Sequence, residues 1–375
     1  MRILRNLGTA LLIVVGSGLA GLSLPAGATA LGDAAAQLQP GQWRTLNRAG
    51  DGSGFDLDLI VSCWGADCGD NILNYADKGM WNPLTREIQF VGKGHQRLLK
   101  HISYTEATNR WVIETKPWWD CSDQGPTCYS IAHGYEHSTI NPANGDVYTR
   151  LFNSTIVYKW TRSSKTWTQL PAAGPNPNVA VALEYFPEMD GVVLAGNGQL
   201  HLYRESTKAW TQLASGLSMG SYHNVASYSK AEKAVVFGGG NGSTQLYRLS
   251  ATGTVSPVAN APAVVAVRQS VFTVDPVSGR FLLFSSGGGF YEYNAATDRW
   301  ATLPTAGVQL FVNNPSGDAA AYRVAVPIST HGVIAFLAEA GTSETRVMLY
   351  RHAPSAAAPP PDTTPPAPPA GLAVQ

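Results

Sequence analysis

One unit recurs along most of this chain, and a chain built from such a unit has few ways to fold. An apolar strand leads through a turn to a second apolar strand that ends in Gly. A segment with Tyr follows, then a short turn, then a strand opened by Trp. Residues 280–303 carry the unit most fully: Phe281-Leu282-Leu283-Phe284, the Gly287-Gly288-Gly289 turn, Phe290-Tyr291-Glu292-Tyr293, a turn from Asn294 to Asp298, and Trp300-Ala301-Thr302-Leu303. The same grammar returns at 235–240 with Leu246-Tyr247, at 192–196 with Tyr203 and Trp210, at 157–160 with Trp167, and at 88–92 with Tyr104 and Trp111.

Four short strands joined by tight turns make a sheet that cannot bury both its faces alone, so successive sheets must stack around an axis. The predicted fold is all-β: a six-bladed β-propeller of four-stranded antiparallel blades over 72–115, 132–171, 178–214, 219–260, 264–304 and 320–352. The last span has no Trp strand of its own. Gly41-Gln42-Trp43-Arg44-Thr45-Leu46 supplies that pattern at the other end, and this N-terminal strand is expected to pair into the last blade and close the ring. Closure removes the exposed edges that an open propeller would leave. A seventh blade would need a degenerate unit within 48–71, which lacks the Gly-Gly and Tyr signals. These Gly, Tyr and Trp positions, over most of 40–353, resemble kelch repeats of the galactose oxidase type. The resemblance implies the propeller fold and says little about function, because kelch motifs are degenerate.

The two ends differ from the body. Arg2 and Arg5 precede an apolar stretch that opens at Leu11, and Ala28-Thr29-Ala30 forms a small-residue cleavage site. Residues 1–30 therefore read as a secretory signal peptide, which places the mature chain outside the cytoplasm, secreted and without an integral membrane segment. The propeller is expected over 31–353. Residues 354–375 are rich in Pro, Ala and Thr and read as an extended linker. Its final stretch, from Asp362-Thr363-Thr364-Pro365 to Gln375, resembles the opening of a fibronectin type III domain, which implies a modular parent protein.

Charge and cysteines narrow the partners. The chain has 26 basic and 26 acidic residues, and charged residues make up only 14% of it. Such a balance excludes electrostatic capture of nucleic acid or of an anionic membrane. Cys63/Cys68 and Cys121/Cys128 form two close pairs, and in an exported chain an even number suggests disulfides, with local pairing the simplest of three connectivities. Neither pair has zinc-knuckle spacing. Asp51, Asp56 and Asp58 lie close together without the spacing of a calcium loop, so neither a metal nor a cofactor is called for. Propellers have no intrinsic need to associate, and a monomer is expected.

Strand order fixes where a site would lie. Blade-to-blade loops and the loops between second and third strands share one face, and both Cys pairs fall in loops of that face. These loops also hold Trp118 and Trp119. The starts of the innermost strands line the channel mouth there. They read Asn74-Tyr75, His133-Gly134-Tyr135-Glu136-His137, Asn178, Tyr222-His223-Asn224, Arg268-Gln269 and Tyr322-Arg323, with His95 reaching the same face from a strand two–three loop. Packing there needs only apolar residues, so a polar ring marks a candidate site. Taken singly, a His at a strand start can be a rim residue, and Arg268 can serve channel carbonyls.

Three functions fit. One is a binding module for carbohydrate or a protein partner: Trp and Tyr faces suit sugar rings, and polar groups suit hydroxyls. The second is a carbohydrate-active enzyme of the polysaccharide lyase type. There His137, His223, Tyr135, Tyr222 and Arg268 would be catalytic, with Asn74, Tyr75, His95, Trp118, Trp119, His133, Glu136 and Arg323 binding ligand. The third is a non-catalytic scaffold. Sialidase-type boxes are not matched, because 162–167 lacks the Asp and Gly, and a Cys–Tyr copper centre has no Cys to spare.

Overall fold

A computed structural model describes residues 29–47, 52–61, 72–93, 99–119, 133–173, 180–308, 310–311, 322–340 and 344–355. Their strands form six sheets arranged as the blades of a β-propeller. The innermost strands run Met80–Asn82, Ser138–Ile140, Ala182–Phe186, Asn224–Ser229, Ser270–Val274 and Tyr322–Ile328. Each is followed outward by antiparallel neighbours, as the repeat predicts.

The ring closes as expected. The strand Trp43–Thr45 pairs antiparallel with Glu344–Tyr350, the third strand of the last blade, matching Trp43 with Tyr350. Trp43 stacks on Tyr350 at 4.5 Å and on Phe336 at 5.3 Å between ring centroids. A second tie lies at the centre. Ala76–Lys78 leads into the first blade but pairs in parallel with Tyr322–Ile328 of the last. The chain ahead of the first blade thus binds the last blade at both its outer and inner rims. The helix Ala30–Ala36, capped by Thr29, buries Leu31 against the same blade interface.

The repeat residues explain the stacking. The indole N–H groups of Trp167, Trp210 and Trp300 donate to the carbonyls of Thr115, Pro171 and Ala259 at 2.8–2.9 Å, and that of Trp111 to Phe55 at 3.3 Å. Three of these rings pack on the repeat Tyr of their own blade, Tyr104, Tyr203 and Tyr293. Each Trp therefore fastens the outer strand of one blade to the segment arriving from the blade before. The Gly run does more than turn the chain. At Gly239, with φ +60°, a Cβ would sit 2.1 Å from the Val265 carbonyl, so the neighbouring segment approaches closer than any side chain permits.

Cys63, Cys68, Cys121, Cys128, His95, Asn178 and Asp51 lie outside the described residues, as do the side chains of Asp58 and Tyr322. Among the described residues no helix is long and apolar enough to cross a membrane.

Candidate functional site

Seven side chains from four blades line one concavity of about 350 Å³ at the channel mouth: Tyr75, His133, Tyr135, Tyr222, His223, Asn241 and Arg268. Six of them are residues that strand order alone assigned to this place. The backbone brings them together. Tyr135 donates its N–H to the Tyr75 carbonyl at 2.7 Å, which ties the first two inner strands at their starts. Asn241 in turn donates its N–H to the Tyr222 carbonyl at 2.8 Å, which fixes the Gly-rich loop over the fourth.

The backbone also aims them. Tyr75, Tyr135 and His223 have φ of 49°, 43° and 64°. Left-handed conformations are uncommon for residues other than Gly and rarer for aromatic ones, and such strain persists where the surroundings over-determine it. Here it turns three rings into one cup. The Tyr75 ring lies 4.5 Å from His133 and 5.9 Å from His223, with the Arg268 guanidinium 5.9 Å from its centroid. Tyr135 lies 5.5 Å from His223, and its hydroxyl is 3.3 Å from that of Tyr222. The His223 Nδ1 is 2.8 Å from Asn241 Oδ1, so with Nδ1 protonated the ring donates to the amide and keeps Nε2 as an acceptor. Phe152, with Ala180 and Val267, supplies apolar wall beside Tyr135. Burial, then the Tyr222 hydroxyl, pushes the Tyr135 phenol well above its ordinary range, so it holds its proton at all physiological pH.

Other expected residues stand elsewhere. His137 lies behind the mouth, buried beneath Tyr135 at 5.0 Å between rings. Glu136 faces down the channel and pairs with Lys78 at 3.0 Å, away from the cup, because a buried carboxylate needs a cation. Arg323 is buried and donates Nε–H to the Leu310 carbonyl at 2.7 Å, a strut of the last blade. Asn74 is buried in the turn before the first inner strand and does not line the cup. Trp119 is stacked on Tyr158 at 3.6 Å and packs into the blade core, whereas Trp118 is 67% exposed. Gln269 is exposed and Asp56 half-buried.

Lys78 divides the channel. Its ammonium reaches Glu136, Glu184 and the carbonyls of Leu183 and Ala226, contacts drawn from three other blades. A separate cavity opens at the far end of the channel, among Trp81, Tyr185, Tyr228 and Phe272.

No family model matches the sequence, and comparison with curated proteins returned no match. Among solved structures, "Crystal structure of Nidogen/Laminin Complex" aligns at 7% identity and a TM-score of 0.45, covering 64% of this chain and 84% of that chain. The fold assignment rests on the strand pairing of this chain itself.

Proposed function

We propose that this chain is an exported binding module that holds a carbohydrate in the cup at the channel mouth. The observation that carries the reading is the convergence of three Tyr, two His, Asn241 and Arg268 from four blades on one concavity. Aromatic faces with phenol hydroxyls suit the apolar faces and hydroxyl edges of a sugar, and Asn241 and Arg268 add directional hydrogen bonds. The volume falls near the lower end of the roughly 300–1,000 Å³ typical of small-molecule sites. Trp118, exposed in a neighbouring loop, offers a further flat face for a longer chain.

A second reading is favoured by the paired groups in the cup. His223, oriented by Asn241, is placed to take a proton, and Tyr135, which keeps its proton, is placed to give one. That division suits β-elimination from a uronate, with Arg268 facing the carboxylate.

Both readings are tested with purified protein on a panel of acidic and neutral polysaccharides, following retardation in gels and the ultraviolet absorbance of unsaturated products. Retardation that Tyr75→Ala and Arg268→Ala abolish is the expected result. Product absorbance lost in His223→Ala would move the protein to the lyases. Silence in both assays, with capture of a protein ligand abolished by the same variants, would overturn the carbohydrate reading.

A further inference from the structure

We propose that the cavity at the far end of the channel, beyond Lys78, is a second site and binds a small primary alkylammonium ion. The cavity measures about 160 Å³ and is lined by residues of all six blades. That is space for about five waters, or for one ligand of similar bulk. The turns after the six inner strands, which frame this end of the channel, all lie among the described residues. The charged side chains that line the cavity among those residues are Asp77, Lys78 and Glu184.

Asp77 is the decisive group. It is 1% exposed, and no hydrogen-bond donor among the described residues reaches either carboxyl oxygen. Native structures rarely leave such a group unanswered. The neighbouring Lys78 is spent elsewhere: its three N–H bonds face four acceptors, Glu136, Glu184 and the carbonyls of Leu183 and Ala226. The charged groups around Asp77 are thus Lys78 on its own strand, Glu136 from the second blade and Glu184 from the third, one cation against two further carboxyls. Burial, then Glu136, drives Asp77 toward its protonated form, in which it can donate to Glu136.

A second cation changes that balance. An ammonium beside Asp77 would give its carboxylate the N–H donors it lacks, in surroundings where the pairing is stronger than in water. A neutral ligand would leave Asp77 protonated and gain no such attraction. The walls suit the alkyl stem: Trp81, Tyr185, Tyr228 and Phe272 line the cavity, and aromatic faces attract both methylenes and positive charge. The Tyr228 hydroxyl donates to Glu188 at 2.9 Å, which adds a further carboxyl group behind that wall. Binding of the ammonium would release the proton of Asp77, so affinity would rise with pH.

Calorimetric titration at fixed ionic strength with n-butylammonium, and with n-butanol as its neutral counterpart of equal length, decides it. One n-butylammonium should bind per chain, with n-butanol weaker by about tenfold or more. The ammonium affinity should rise about fivefold or more from pH 6 to pH 8, a range in which the ligand itself stays charged. Asp77→Asn, which keeps the shape and cannot ionise, should lower n-butylammonium affinity by about tenfold or more and remove the pH dependence. Equal affinities for the two ligands overturn the proposal, and so does an affinity that neither pH nor Asp77→Asn changes. Failure of n-butylammonium to bind the wild-type chain overturns it as well. Should Asp77→Asn fail to fold, the wild-type comparisons of ligand and of pH decide alone. No glycan is used, so the result is independent of what the cup binds.

Discussion

Tyr75, Tyr135 and His223 bear their left-handed backbone in the segments that lead into the inner strands of three blades. A residue that tolerates this conformation should keep the fold and lose the cup. Asn does so at small cost, whereas a β-branched residue does not. His223→Asn is therefore expected to remain within about 1 kcal/mol of wild type in urea unfolding while affinity for the carbohydrate ligand proposed above falls at least tenfold. His223→Val should lose a further ~1–2 kcal/mol. A second single-residue effect lies outside the cup. His101 is 1% exposed between Trp160 and Trp167, and burial pushes its pKa down to about 4. Between pH 4 and pH 6.5 the unfolded chain then binds the extra proton, so stability rises with pH across that window and is lost on acidification. The loss from this group is on the order of 3 kcal/mol, and urea titrations of His101→Gln should show a shallower decline from pH 6.5 to 4.

At the scale of elements, the closing strand is the part whose strength is most open to measurement. Trp43 is held by Tyr350, Phe336 and Phe284, while Arg44 and Thr45 are exposed. Trp43→Ala should cost about 3 kcal/mol and bring early protease cleavage near the N-terminus, and Arg44→Ala should cost less than about 0.5 kcal/mol. This strand was legible in the sequence because Trp-x-x-Leu repeats a pattern seen in other blades, and repetition averages away local ambiguity. Blade count and the mouth residues were legible for the same reason: once strand order is known, each strand start has an address. Residues that act by reaching across the ring had no such signal. Glu136 sits in a run with His133, Tyr135 and His137 and reads as a rim residue, yet its partner Lys78 is 58 positions away on another blade. Asn241 was closer to view, since it ends a Gly run on the expected face, but nothing local distinguished it from a turn residue.

The molecule as a whole is a ring held from its rim and from its axis. The Trp–carbonyl bonds join neighbours one pair at a time, whereas Lys78 joins four blades at a point. Its ammonium faces Glu136 and Glu184, with buried Asp77 alongside. Burial alone would lower its pKa, but the two glutamates outweigh that and carry it up to about 12. Burial raises Glu184 to about 7 against the pull of Lys78, and raises Asp77 well above its ordinary value with help from Glu136. One cation thus restrains three carboxylates that burial already drives toward protonation. Lys78→Met removes the cation and leaves the acids, a change of the kind that costs about 3–5 kcal/mol. The cost should depend on pH in a defined direction. Without Lys78 the carboxylates hold their protons still more firmly in the folded state, while in the unfolded chain they ionise above their ordinary range near pH 4. Folding then takes up protons, so the penalty grows with pH. Lys78→Met should be closer to wild type at pH 5 than at pH 8 in calorimetry. Lys78→Met combined with Glu136→Gln and Glu184→Gln should recover much of the loss at pH 8. A penalty that stays constant between pH 5 and pH 8 would show that Lys78 acts through packing alone, and that the ring is not fastened electrostatically at its axis.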